Sequence, residues 1–347
     1  MKITKKQAIQ LAKKYYGISA TAKKLVAYED FNFRLSAKNG RIYVLKISTD
    51  TSSFAYLKPQ NKILEHLAKN KKKNEHYPEI IASKKGKYIV SLKRGNKKLK
   101  MRLLSYLEGE CIGNISPSDK LLKNFGTALA KLDERLQKLQ ITALEARNYA
   151  WDLRNFADSE PYMSYIKNPY QQTLVRYFLS QFQNFVAPVL PNLPHSIIHS
   201  DVNEWNTLFK KQKIVGIIDF GDVIHTARIN EVAIGIAYMA TLVANPLQAA
   251  CIILKAYHKI IALEEKELEV LYYLIATRLC ISVSHSSYYK TQNPENEYIT
   301  ISAKPIWKLL EKWIKISPIR ATNMFKETCG FATVSYTHLT LPTTYGV

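Results

Sequence analysis

Residues 197–231 read IIHSDVNEWNTLFKKQKIVGIIDFGDVIHTARINE. Two short apolar runs, Ser196-Ile197-Ile198 and Ile214-Val215-Gly216-Ile217-Ile218, have the length and β-branched content of buried strands. Each empties into a polar cluster: His199, Asp201, Asn203 and Asn206 after the first, Asp219 and Asp222 after the second. Phosphoryl transfer asks for a cation on the nucleotide phosphates, a base for the hydroxyl proton and a positive group against the phosphate charge. Asp201 is the candidate base. Asn206 and Asp219 are the candidate Mg2+ ligands, because Mg2+ takes a few protein oxygens and fills its shell with phosphates and water. Turn and capping duty is the bland alternative for Asp and Asn. His199 reads as a satisfied core histidine.

The 347 residues suit two lobes of unequal size, and 47% hydrophobic content supplies a sizeable core. No apolar run reaches the about 18 residues of a spanning helix; residues 232–244 come nearest. The N-terminus has no apolar signal region and reads as a first amphipathic helix. Four widely spaced cysteines suggest neither zinc nor a disulfide framework, so free thiols in a reducing cytoplasm are expected. Lys and Arg number 50 against 28 Asp and Glu, a net charge of +22. That excess suits polyanions, or the steering of anionic ligands into a cleft. There is no zinc-finger, RNP or basic-zipper pattern, so nucleic acid is not the expected main partner. No membrane association is expected, and the chain should be a monomer or homodimer.

Helical spacing over residues 4–16 stops at Gly17. Alternating runs around Asn39-Gly40 then predict a hairpin, residues 31–37 and 41–47. A helix over residues 54–69 and strands near residues 80–82, 87–92 and 99–104 complete a small β-rich lobe. Beyond residue 106 the texture turns helical, with helices over residues 121–139, 168–187, 246–261, 264–289 and, last, 303–316. The fold class is therefore α+β. Residues 1–105 are the expected nucleotide-binding lobe and residues 106–330 the catalytic and substrate-binding lobe. Residues 331–347 read as an uncharged, non-native or disordered tail.

HSDVNEWN followed by IIDFGD resembles the catalytic and metal loops of the aminoglycoside phosphotransferase and choline kinase superfamily, relatives of protein kinases. The resemblance covers most of residues 1–318. It implies a two-lobed protein kinase-like fold, Asp201 as base, Asn206 and Asp219 as Mg2+ ligands, and ATP or GTP as phosphate donor. Ser200 stands where Gly is usual, and only a modest backbone adjustment is expected. There is no P-loop. Instead, the strand around Lys46 resembles the one whose Lys meets the α- and β-phosphates. Tyr28, Asp30 and Asn32 lie in what resembles the phosphate-covering turn, and Ser105, Tyr106 and Leu107 in the hinge that binds the purine. Gln60 falls where protein kinases carry the Glu that pairs with the Lys; an amide there could orient Lys46 by hydrogen bonding.

YEDFNFRL, LKPQNKILEHL, MRLLSYLEG and the segment after Asn293 narrow the resemblance to the hydroxylysine kinase branch. That implies an amino alcohol or hydroxylated amino acid as acceptor, 5-hydroxylysine first, with choline or ethanolamine, homoserine and aminoglycosides as alternatives. A cationic substrate wants carboxylates and aromatic faces near the base. Asn203, Glu204, Trp205, Asp222, Trp151 and Asp152 are the candidates, with Arg278 or Arg228 for a substrate carboxylate. The alternative from another class is a non-catalytic nucleotide- or polyanion-binding protein, motivated by Gln60 and the +22 charge.

Overall fold

In the computed structural model, residues 3–25, 30–49, 52–69, 76–292 and 297–333 are described. Helix α1 (Lys5–Tyr16) opens on a capping box between Thr4 and Gln7 and stops at Gly17, whose φ of 74° suits a residue without a Cβ. Strands β1 (Ala20–Leu25), β2 (Phe31–Ala37), β3 (Ile42–Ser48), β4 (Ile80–Ile81), β5 (Val90–Arg94) and β6 (Lys97–Ser105) follow. They form one sheet in the order β1-β2-β3-β6-β4, with β5 also paired to β6. Every pairing is antiparallel.

Period-two alternation gives this sheet two different faces. Phe33, Leu35, Leu45, Ile47, Met101 and Leu103 are buried in one core with Ala8 and Ala12 of α1. On the opposite face Asn32, Lys46 and Arg102 stand side by side, paired directly across β2, β3 and β6. Helix α2 (Leu57–Lys69) follows a 3-10 turn (Ser52–Tyr56) where a single helix was expected. Its Ile63, Leu64 and Leu67 belong to the larger core of the second lobe, so α2 is shared between the lobes.

That lobe begins with β7 (Glu110–Cys111), α3 (Asp119–Leu136), two single-turn helices, α4 (Thr142–Glu145) and α5 (Glu160–Met163), and α6 (Pro169–Gln181). Strands β8 (His195–Ile198), β9 (Thr207–Lys210), β10 (Lys213–Ile217) and β11 (Ile224–Ala227) come next. They make two small sheets, β10-β9-β7 and β11-β8, that carry residues 197–231 on the helical bed. Helices α7 (Ile229–Ala240), α8 (Pro246–His258), α9 (Glu265–Gln292), α10 (Glu297–Trp313) and α11 (Pro318–Thr328) complete the lobe.

The architecture is the expected α+β, two-lobed arrangement. Its departures from expectation have local causes. Every residue of α7 is buried, Asn230 and Glu231 included, so this helix has no solvent face to mark an amphipathic period. It is the core helix behind the run that came nearest to a membrane span. No helix among the described residues is long and apolar enough to cross a membrane. The helix expected to be last is followed by α11, which announces itself by Ser317 at the cap and Pro318 in the first turn. Phe331 packs beside His258, and Thr333 Oγ1 donates to Glu327 Oε1 at 2.9 Å, so residues assigned to the tail pack against the lobe. Residues 334–347 lie outside the described residues, as do most of the lysine run near residue 71 and residues 293–296.

Helices α3 and α8 approach closely at Gly126, where a Cβ would run into the Ile253 carbonyl oxygen and stand 3.1 Å from Ala256 Cβ. Helix propensity alone favours Ala over Gly by about 1 kcal/mol. Overpacking a close helix pair costs about 1–3 kcal/mol and should win. Gly126→Ala is therefore expected to lower stability in a denaturant titration, not raise it.

Candidate active site

Strand β8 ends at Ile198 and delivers His199, which is fully buried. Its Nδ1 accepts from the Asp201 backbone N–H at 3.3 Å, and its Nε2 lies 3.0 Å from the Ile218 carbonyl. A neutral ring that accepts at one nitrogen donates at the other, which assigns the proton to Nε2. Burial pushes the imidazole down to about 4, so it is uncharged at neutral pH. His199 thereby ties the loop carrying Asp201 to the residue preceding Asp219.

The loop after β8 is built on its own polar side chains. Asp201 Oδ1 accepts from Asn203 Nδ2 at 3.0 Å and from Arg278 Nη2 at 2.9 Å; Oδ2 accepts from Asn206 Nδ2 at 2.7 Å. Asn203 Oδ1 accepts from the backbone of Trp205 and Asn206, so Asn203, expected at the substrate, shapes the loop instead. Burial and the neighbouring Asp222 charge raise the Asp201 carboxyl well above the usual carboxylate range, against the pull of Arg278.

Asp219 follows β10 with a φ of 63°. Its Oδ1 meets Lys46 Nζ at 2.7 Å, and 42% of its side-chain surface stays open to the cleft. Burial by the surrounding protein would raise this carboxyl; Lys46, with His199 and Arg102, outweighs that and holds it below the usual range. With both Asn206 amide hydrogens turned to Asp201, through Oδ2 and the backbone oxygen, its Oδ1 is left for another partner. Among the described residues no group of three or more His, Cys, Asp or Glu could close around a metal. One Asp and one Asn oxygen nevertheless fit Mg2+, which takes its remaining ligands from phosphates and water.

In the sheet lobe, Asn32 stands directly across from Lys46, with its Oδ1 buried and unpartnered among the described residues. Asp30 accepts from Ser48 Oγ at 2.9 Å. Tyr28 lies outside the described residues. Gln60 does not bond to Lys46; its Oε1 accepts from Arg102 Nη2 at 2.7 Å and its Nε2 donates to the Gly221 carbonyl at 3.0 Å. In the hinge, Ser105 N–H donates to Glu79 O and Tyr106 N–H to Ile42 O, so these two donors are used within the lobe. The Leu107 N–H has no such partner among the described residues.

The substrate candidates divide. Glu204 keeps a buried Oε2 with no hydrogen-bond partner among the described residues, and burial raises its carboxyl to about 7. Trp205, beside it, is exposed. Asp222 hydrogen bonds to Tyr149, and burial still raises its carboxyl. Asp152, by contrast, is 1% exposed and accepts from Thr226 Oγ1 and the Arg154 backbone, which makes it a cap away from the cleft. Arg278 is only 2% exposed and is committed to Asp201, to the Tyr238 hydroxyl at 3.0 Å and to the Trp151 carbonyl at 3.3 Å. The Trp151 ring faces that guanidinium at 5.2 Å. Arg228 pairs with Glu267 at 2.7 Å. Neither arginine is available to a substrate carboxylate in this arrangement.

The sequence matches the model of the phosphotransferase enzyme family over residues 22–262. The chain belongs to this family. It is a phosphotransferase acting on a hydroxyl group, a small-molecule kinase whose phosphate donor is a nucleotide. The hydroxylysine kinase of Mus musculus is 28% identical over 354 residues, covering 94% of this chain and 93% of that protein. That of Xenopus laevis is 28% identical over 334 residues, covering 89% of each. Among solved structures, a microcompartment-associated aminopropanol kinase superposes with a TM-score of 0.69 at 14% identity, over 88% of this chain and 96% of that one. Amicoumacin kinase in complex with AMP-PNP and Ca2+ gives 0.68 at 14% identity, over 89% and 94%. At these identities the structures speak for the kinase-like fold.

Sequence reading missed Arg102, Arg147 and Tyr149. Arg102 had a signal, a charged residue beside the apolar pair that closes the alternating strand Leu99–Leu104. Arg147 and Tyr149 lie in an irregular segment with no period to read. Ser200 was expected to need only a modest backbone adjustment, yet its φ is 67°, a left-handed conformation costly for a residue with a Cβ. Its N–H is held by Glu231 Oε2 at 2.9 Å. Ser200→Gly should raise stability by up to about 1 kcal/mol while leaving this bond intact, measured as an upward shift of the unfolding midpoint.

Proposed function

We propose that this kinase transfers the γ-phosphate of ATP or GTP to the hydroxyl of an amino alcohol or hydroxylated amino acid, with 5-hydroxylysine the leading acceptor. Asp201 carries this reading: its carboxylate, held between Asn206 and Arg278, stands one loop away from the half-open Asp219. Asp201 accepts the acceptor's hydroxyl proton. Asn206 Oδ1 and the Asp219 carboxylate hold Mg2+, which supplies charge neutralisation on the phosphates when bound. Lys46 turns from Asp219 to the phosphate oxygens, and the hinge N–H of Leu107 is open to the purine.

The acceptor's ammonium is read by Glu204. A buried carboxylate oxygen without a donor is costly unless a ligand supplies one. Trp205 and Asp222 flank the same approach. The hydroxylysine kinase relatives, matched over nearly the whole chain, support an acceptor that bears both a hydroxyl and an ammonium group.

The test is a steady-state panel of 5-hydroxylysine, ethanolamine, choline, homoserine and an aminoglycoside with ATP and with GTP. Asp201→Asn should lower kcat by about 10²–10⁴-fold while nucleotide still binds. Glu204→Gln should raise KM for cationic acceptors about tenfold or more and leave KM for the nucleotide unchanged. A folded wild-type chain that turns over no acceptor in the panel would falsify this assignment.

A further inference from the structure

Asn32, Lys46 and Arg102 form one polar row across the cleft face of the sheet. Arg102 is the innermost of the three, 5% exposed, with Nη2 donating to Gln60 Oε1 at 2.7 Å and Nη1 to Asn61 Oδ1 at 3.0 Å. A guanidinium has donors and no acceptor. It therefore dictates how both amides face: the oxygens turn to Arg102, and the Gln60 NH2 must point the other way. There it meets the carbonyl of Gly221, which also accepts from Arg147 Nη1 at 3.2 Å. Gly221 separates Asp219 from Asp222. The helix shared between the lobes thus reaches the metal loop through an amide whose direction is set from the sheet. Burial pushes the Arg102 guanidinium down to about 10, opposed by Asp219 and Asp30, so it remains charged at neutral pH.

A glutamate at position 60 would keep its bond to Arg102 but present an acceptor to the Gly221 carbonyl. Two acceptors facing each other repel, and the carbonyl would lose a donor. The amide is therefore the side chain this relay requires, and Lys46 finds its counter-charge in Asp219 instead of on the helix.

We propose that Arg102 is a positioning residue for phosphoryl transfer: by orienting the Gln60 amide it holds the Gly221 carbonyl and so sets the metal loop that carries Asp219. The proposal rests on the kinase reading above.

The experiment uses the full chain and three variants, Gln60→Glu, Arg102→Met and Arg102→Lys. Calorimetric titration measures binding of ATP and GTP with and without Mg2+, and thermal unfolding and kcat are measured on the same samples. Gln60→Glu should stay folded, with an unfolding midpoint at or a little below that of the wild type, and keep its Mg2+-free nucleotide binding. It should weaken the Mg2+-dependent part by about tenfold, with kcat falling in step. Arg102→Met should show the same loss, and Arg102→Lys, which retains a donor for Gln60 Oε1, should recover most of it. If Arg102→Met does not fold, Gln60→Glu and Arg102→Lys decide. Gln60→Glu with wild-type Mg2+-dependent binding and kcat overturns the relay, as does Arg102→Lys no better than Gln60→Glu. A wild-type chain that binds no Mg2+–nucleotide sinks the kinase reading and the relay with it, whereas a wild-type chain that binds it and a Gln60→Glu variant that binds it equally well sink the relay alone.

Discussion

Lys46 and Asp219 are 173 residues apart in the chain and meet at 2.7 Å, one from the sheet lobe and one from the helical lobe. Burial opposes an ionised Asp219; the ammonium of Lys46 reverses that and keeps the carboxylate charged in a crowded cleft. The surrounding structure keeps this pair in place. His199 fixes the Ile218 carbonyl just before Asp219, and Gln60 and Arg147 converge on the Gly221 carbonyl just after it. Between those anchors Asp219 sits at a φ of 63°, a conformation tolerated because both sides are held.

The site balances charge within a small volume. Asp201, Asp219, Asp222 and Glu204 face Lys46, Arg102, Arg147 and Arg278. Arg278 illustrates what the balance demands. It is nearly inaccessible, bonded to Asp201, a tyrosine and a backbone carbonyl, and Tyr238 and the nearby carboxylates raise its pKa despite burial. Removing one member of such a buried set leaves the other charged and unpaired, which costs about 3–5 kcal/mol. A residue so bound supports Asp201 and has no free donor face for a substrate carboxylate.

Much of this was legible in the sequence because the chemistry is local. Asp201, Asn206 and Asp219 follow short apolar strands at set spacing, and the Asn39-Gly40 turn marks the hairpin that carries Lys46. What stayed hidden depends on partners distant in sequence. Nothing in Trp151-Asp152-Leu153 tells that Asp152 is taken by Thr226, and nothing near Arg278 tells that its target is Asp201. Gln60 could be recognised as a departure, but its meaning needed Arg102 across 42 residues of chain. Ser200 looked harmless because composition carries no backbone angle, and α7 was masked by being buried on every side.

The most direct measurement is phosphorus NMR of a reaction containing the full chain, Mg2+, ATP or GTP, and 5-hydroxylysine, followed in time. Transfer to the hydroxyl produces a new phosphomonoester resonance that grows as the γ-phosphate signal falls, and this is the expected result. Loss of the γ-phosphate to inorganic phosphate alone, or no change with a folded chain, would contradict phosphoryl transfer to this acceptor.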